Sequence, residues 1–279
     1  MHVSYSELSS FRRCPHLWDL EYRQRWRPAE VSPALNKGRL FHEVMALHYT
    51  DNDPMAAVAR IHTLLHNDDG TQDEIQELVS WMYAGYLEMW GSDPQWKVLA
   101  VEQTSYLWLP TERDCQSRTQ LKMILDLLVE DEQGRVWLVD HKTGANLPNE
   151  IELEHDDQFA LYQWGKEQEG HHIYGIIYNA VRTQRNKGPM ALEDRFKRVM
   201  MYRTPEQLRN TAIDAYRTVR RMRACAAQNQ VERCFGYTRC VKPYTCQFAE
   251  PCLYGRKGGD ETEFLDSMGY EKRPQEVTA

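Results

Sequence analysis

The sequence predicts an α/β fold, and three features predict it. Leu121–Gly144 (LKMILDLLVEDEQGRVWLVDHKTG) has the form of a β-hairpin. An apolar, branched run, Met123–Val129, leads into the polar turn Glu130–Arg135, where Gly134 supplies the flexible position, and Val136–Lys142 returns. Ile173–Val181 (IYGIIYNAV) has the unbroken apolar character of a buried strand. Helical patterns at 54–67, 72–91, 155–169 and from Thr204 onward stand around these strands.

In chain order, Ser4-Tyr5-Ser6-Glu7 is a capping box that opens a helix with Leu8 and Phe11 on its apolar side. Pro15, directly after Cys14, breaks or restarts it, and Leu17, Trp18, Leu20 and Tyr22 continue the pattern. Residues 28–36 (PAEVSPALN) are expected to be a loop. A helix then runs from Lys37 or Gly38 to about Tyr49, with His42 near its start. Lys97–Leu109 is expected as a strand, followed by the turn-like PTERDCQSR and the hairpin. Residues 182–194 are expected as a polar loop and Phe196–Tyr202 as an edge strand. Thr204 as N-cap with Pro205 behind it starts a long helix to about Gln230. The run after it is loop-like, and the tail beyond Gly255 is expected to be mobile.

With 279 residues, 42% of them apolar, the chain suffices for one large domain or one and a half. No apolar run approaches the roughly 20 residues that a bilayer span needs. The N-terminal MHVSYSELSS has no charged-then-apolar leader, so the expectation is a cytosolic protein whose seven cysteines stay reduced and available to a metal. No G-x-x-x-x-G-K-[ST] loop is found, which excludes a recognisable ATP-driven motor. The net charge of −7 hides an uneven distribution: residues 195–257 hold fourteen Lys/Arg against four Asp/Glu, and Arg12–Arg27 holds five arginines against Asp19 and Glu21. A basic face on an acidic body fits a groove that follows phosphates, or a set of solvated helix faces.

The chemistry centres on the hairpin. Side chains alternate along a strand, so Asp140 and Lys142 share a face and His141 takes the other. Asp126 interrupts an apolar strand, where a buried carboxylate is costly unless paired or holding a metal. Two acids and an ammonium at one sheet edge suit metal-assisted phosphodiester hydrolysis; a surface ion pair between Asp140 and Lys142 is the plainer alternative. Gln158 and Tyr162, four apart on the next helix, lie on one face where they can contact a phosphate or a base, or form a half-buried polar pair. Cys240, Cys246 and Cys252 recur every six residues, and Cys234 extends the spacing backwards. Such a run is organised by ligation, to zinc or an iron–sulfur cluster. Cys115 and Cys225 stand apart as a loop thiol and a helix residue.

In this order the motifs resemble those of the RecB-type, iron–sulfur-containing branch of the PD-(D/E)XK nucleases, over nearly the whole chain. S-Y-S-E-L-S-S-F-R-R-C-P-H puts Cys14 at the first cluster cysteine, and G-R-L-F-H puts His42 at the metal-binding histidine. Asp126 stands in the second motif, V-D-H-K-T-G supplies Asp140 and Lys142, and Q-F-A-L-Y supplies Gln158 and Tyr162. C-V-K-P-Y-T-C-Q-F-A-E-P-C supplies three more cysteines. Two positions depart from the pattern. Met123 replaces the glycine often found three residues before the second-motif acid, and the first gap between the last three cysteines is wider than usual.

The resemblance implies a restriction-endonuclease-like core, a mixed sheet flanked by helices. Residues 37–203 would form this core, with a helical insertion at 54–91. Residues 1–36 and 204–257 would be joined by a four-cysteine cluster, and 258–279 would be the mobile tail. It implies Mg²⁺ or Mn²⁺ held by His42, Asp126, Asp140 and the His141 carbonyl, with Lys142 positioning water and Gln158 and Tyr162 organising the DNA side. Glu102, on the preceding strand, is either an outer metal neighbour or a solvent-facing residue. It further implies a [4Fe–4S] cluster on Cys14, Cys240, Cys246 and Cys252, with zinc as the alternative and Cys234 as a rival ligand. Arg217, Arg220 and Arg221 would grip DNA. The expected activity is exonucleolytic hydrolysis from DNA ends in recombination, repair or replication, in a bacterial cytoplasm or that of a phage host. A CRISPR-adaptation nuclease, the nuclease subunit of a helicase complex and an inactive DNA-end-binding module are the alternatives.

Overall fold

A computed structural model describes residues 2–30, 33–50, 54–63, 71–113, 115–185, 188–228, 231–242 and 244–274. The chain begins with β1 (His2–Ser4), α1 (Tyr5–Arg13), α2 (Pro15–Trp18), a π-helical turn (Asp19–Arg23) and β2 (Trp26–Pro28). Three helices follow, α3 (Pro33–Thr50), α4 (Pro54–Thr63) and α5 (Thr71–Trp90), then β3 (Trp96–Pro110), β4 (Gln116–Asp131) and β5 (Val136–Gly144). Next come α6 (Glu150–Glu154), α7 (Asp157–Gln168), β6 (Ile173–Arg182), a 3₁₀ turn (Leu192–Asp194) and β7 (Phe196–Met201). The chain closes with α8 (Pro205–Ala226), α9 (Tyr237–Cys240), α10 (Ala249–Arg256), α11 (Glu261–Ser267) and β8 (Tyr270–Lys272).

Two compact units divide these elements. One comprises Met1–Val31, Trp108–Lys122 and Ile213–Ala279; the other comprises Ser32–Leu107 and Met123–Ala212.

The second unit carries the mixed sheet. β4 and β5 pair antiparallel from Leu127↔Val139 to Glu130↔Val136, closed by a turn in which Gly134 takes φ +74°, a left-handed conformation that glycine adopts without steric cost. β5 and β6 are parallel, β6 and β7 antiparallel, and β3 also pairs with β4. Alternation sorts the side chains between two cores. Trp137, Val139, Leu127 and Val129 pack with α3, α4 and α5 through Phe41, Val44, Met45, Ile61, Met82 and Tyr86. Leu138, Leu128 and Ile176 pack with Phe159 of α7 and Leu153 of α6. Helices on both faces of a mixed sheet are the architecture expected from the motifs. Met123 is accommodated by Gly165, where an added Cβ would meet the Met123 Cε at 2.4 Å. A helix glycine therefore takes up the bulk that the strand position gained.

In the first unit β1 pairs in parallel with β4 at Gln120–Lys122, and Ser4 caps α1 by accepting the Glu7 N–H at 3.1 Å. A smaller core of Leu17, Leu20, Trp26, Phe248 and Leu265 holds the chain's two ends together.

Several boundaries differ from the sequence expectation. The helix that carries His42 starts at Pro33, not near Gly38, because proline is suited to a first helical turn, where its missing N–H costs nothing. β4 begins at Gln116, so the strand carrying Asp126 is much longer than its apolar run. The expected helix 155–169 starts at Asp157, capped by Asp156, after the separate α6 that Asn149 caps. The tail expected to be mobile instead forms α11 and β8 within its described residues. Leu265 is buried there, Tyr270 stacks on Phe248 at 5.6 Å, and β8 pairs with β2. Among the described residues no helix is long and apolar enough to cross a membrane.

Candidate active site

The β4–β5 ladder ends at Leu127↔Val139, and the polar side chains converge where the two strands part. Beyond that pair a carboxylate takes over the role of the backbone: the His141 N–H donates to Asp126 Oδ2 at 2.7 Å. The same Oδ2 lies 3.3 Å from His42 Nδ1, which α3 brings in from the side. Asp140 Oδ2 and Lys142 Nζ meet at 2.7 Å, as residues two apart on one strand face can. The Lys142 ammonium also sits 5.8 Å above the Phe159 ring. Gln158 and Tyr162 are half-buried on α7, and the Tyr162 hydroxyl senses Asp140 and Lys142.

Glu102 joins this group. Ligand atoms of His42, Glu102 and Asp126 lie within 4.8 Å of one another. The cause is local backbone: Glu102 takes φ +47° in the middle of β3, a conformation uncommon for a residue with a Cβ, so strand alternation does not govern its direction. The next residue is anchored, because Lys166 of α7, fully buried, donates to Gln103 Oε1 at 2.6 Å and pairs with Glu169. Glu102 is exposed as well as near this group, so it is both solvent-facing and a neighbour of His42 and Asp126, and no sequence signal marks a left-handed glutamate.

The electrostatics separate the two aspartates. Burial pushes Asp140 up to about 6, against the pull of Lys142 and helped by the charge of Asp126. Asp126 resists its own burial and is held down to about 2 by the hydrogen bond and charge of His42, with His141 and Lys142 adding. His42 is raised in turn, Asp126 outweighing burial. Burial lowers the His141 ring to about 3, leaving it neutral. Lys142 is raised despite burial by Asp140 and Asp126, so it is an ammonium and a donor, not a base. The imidazole of His42 and the carboxylates of Glu102 and Asp126 are a hard donor set that fits Mg²⁺ or Mn²⁺, while Asp140, paired with Lys142, is not part of that group.

The first unit gathers the cysteines. Cys14, Cys234, Cys240, Cys246 and Cys252 line one pocket with Leu17, Leu20 and Phe248. The Cys234 N–H points at Cys14 Sγ at 3.4 Å, and the Cys246 N–H donates to the Cys240 carbonyl at 2.8 Å. Burial raises the Cys246 thiol, and burial with Glu261 brings Cys252 up to about 11. Among the described residues no three of these thiols come within 4.8 Å of one another. Cys252 instead groups with His16 and Glu261, the three offering ligand atoms within 4.8 Å of one another. Cys115 is exposed, and neither it nor Cys225 lines the pocket.

Arg217, Arg220 and Arg221 belong to α8 in the first unit. Arg217 and Arg220 pair with Glu112, and Arg221 lies 5.7 Å over Phe11. The pairs of Arg217 and Arg220 with Glu112 are exposed and contribute little to stability.

A family model described as the PD-(D/E)XK nuclease superfamily matches residues 2–252. No curated protein matches the chain. Among solved structures, a candidate exonuclease from Eubacterium rectale is similar at 13% identity and a TM-score of 0.47, covering 87% of this chain and 93% of its own. SSO0001 is similar at 12% identity and a TM-score of 0.43, covering 89% and 84%. Neither likeness bears on activity.

Proposed function

Because the chain belongs to the PD-(D/E)XK nuclease superfamily, we propose that it is a divalent-metal-dependent deoxyribonuclease acting exonucleolytically from DNA ends, in recombination, repair or replication. The observation that carries this reading is the convergence of His42, Asp126, Asp140 and Lys142 at the fork of β4 and β5. His42, Asp126, Asp140 and the His141 carbonyl would hold Mg²⁺ or Mn²⁺, with Glu102 as a further carboxylate. The bound ion would supply positive charge to the scissile phosphate and lower the pKa of an attacking water. Lys142, kept charged by its two acid neighbours, donates to that water or to the oxygen on which charge develops. Gln158 and Tyr162 place donors beside the phosphate, and the basic surface of α8 follows the DNA backbone.

End-labelled linear DNA and covalently closed circular DNA, each incubated with Mn²⁺, Mg²⁺ or chelator, test this reading. Metal-dependent loss of the linear substrate alone is the expected result. Cutting of both would make the protein an endonuclease, and cutting of neither by cluster-loaded protein would remove the assignment. Glu102→Gln is expected to weaken Mn²⁺ binding about tenfold by calorimetric titration. An unchanged affinity would exclude Glu102 from the metal's surroundings.

For the cysteines we infer a [4Fe–4S] cluster on Cys14, Cys240, Cys246 and Cys252. The gathering of these thiols around one pocket supports a shared ligated group, with zinc as the alternative. Cys234 then serves through its N–H, which stabilises negative charge on Cys14 Sγ.

A further inference from the structure

Behind β5, on the face opposite Asp140 and Lys142, lies a buried polar network that the proposed chemistry does not use. His141, Asn179 and Arg198 are lateral neighbours on β5, β6 and β7, paired His141↔Asn179 and Asn179↔Arg198 in the sheet register. Asn179 is fully buried, and its Nδ2 lies 2.8 Å from His141 Nδ1. On its other side Arg198 Nε approaches Asn179 Oδ1 at 3.5 Å. Arg198 is immobilised. Asp93 chelates it at 2.6 and 2.7 Å, Trp90 and Trp96 lie against its guanidinium at 4.0 and 4.2 Å, and it donates to Tyr86 Oη at 2.8 Å. Tyr49, which stacks on the His141 ring, donates to Asp93 as well.

Donor and acceptor chemistry gives this ladder one sense. A guanidinium only donates, so the Asn179 oxygen must face Arg198 and its NH₂ must face His141. The Asn179 NH₂ also reaches Tyr86 Oη at 3.3 Å, which is consistent with that orientation. His141 Nδ1 is therefore an acceptor, and the neutral ring carries its proton on Nε2. Stability alone gives little reason for such a network, since buried ion pairs are often replaceable by apolar side chains without loss. Position gives a better one. The β4–β5 ladder ends at Val139, so the His141 peptide lacks a β4 backbone partner where its N–H must hold Asp126.

We propose that Asn179 and Arg198 are positioning residues of the metal site: their ladder locks the His141 ring and with it the peptide that holds Asp126. The proposal rests on the nuclease reading for its effect on metal binding and cleavage, but not for its effect on the His141 ring.

Asn179→Asp tests it, because a carboxylate of the same shape cannot donate to Nδ1. The expected results are a shift of the His141 proton to Nδ1 in ¹⁵N-histidine spectra and a 10–100-fold weaker Mn²⁺ affinity. A similar fall in kcat is expected, with KM for linear DNA unchanged. Asn179→Ser, which retains a donor, should recover part of both losses. If Asn179→Asp fails to fold, Asn179→Ala, smaller and uncharged, is read in its place with the same losses of affinity and kcat expected. A lower melting temperature with unchanged Mn²⁺ affinity, kcat and tautomer would overturn the proposal and leave the network a structural one. Wild-type protein that neither binds Mn²⁺ nor cleaves would defeat the nuclease reading, and the histidine spectra would still decide whether the ladder sets the ring.

Discussion

Lys142→Ala is expected to lower metal-dependent DNA cleavage by about 10²–10³-fold, and Asp126→Ala to bring it below detection, with circular dichroism unchanged for both. The difference follows from what each residue touches. Lys142 contributes one charged donor beside Asp140. Asp126 contributes a carboxylate shared by His42 and the His141 N–H, so its loss frees a histidine and a strand end together. The same preparations carry a pH signature. Asp140 is raised to about 6, so below that pH a metal ion must displace its proton. Mn²⁺ affinity should rise from pH 5 upward, first as Asp140 and then as His42, raised by Asp126, give up their protons. Asp126, held to about 2, stays ionised throughout and adds no slope. Asp140→Asn should remove the lower part of the slope along with most of the affinity, leaving the part that His42 contributes. Full activity in Lys142→Ala would refute the assigned site.

Cys246→Ala is expected to lower the melting temperature by about 10 °C, abolish a broad absorbance near ~400 nm, and expose the C-terminal segment to proteolysis. Cys246 packs against the small core of Leu17, Leu20, Trp26, Phe248 and Leu265, and its thiol opens on the shared pocket. Joining Cys14 to Cys240–Cys252 closes a loop of more than 200 residues, whose entropy in the unfolded chain the ligation removes. Cys115→Ala, at an exposed position outside the pocket, is the control and should change none of these. Unchanged thermal stability in Cys246→Ala would sink the staple.

How far each feature could be read from the sequence depends on how local its cause is. The hairpin was legible because two apolar runs flank a polar turn with Gly134, and the strands pair from Leu127↔Val139 to Glu130↔Val136 around it. The caps at Ser4 and Thr204 were legible because a short polar side chain three residues before Glu7 or Gln207 satisfies a free N–H within a single turn. The start of α3 was less so, since Pro33 occurs in loops and in first helical turns alike. The ordering of the tail was not legible at all. Leu265 and Tyr270 lie in a polar stretch, and their apolar partners are Leu17, Leu20, Trp26 and Phe248, most of them at the other end of the chain.

By itself, then, the sequence determined the α/β class, the order of the motifs, and the shared strand face of Asp140 and Lys142, because periodicity and spacing are properties of neighbouring residues. Tertiary structure alone decided the rest. It turned Glu102 toward His42 through a left-handed backbone, brought Asp93 to Arg198 across 105 residues, and collected five cysteines around one pocket. The physical reason is that a side chain's direction at a fork, a kink or a buried ion pair is set by partners distant in the chain, and no window of sequence contains them.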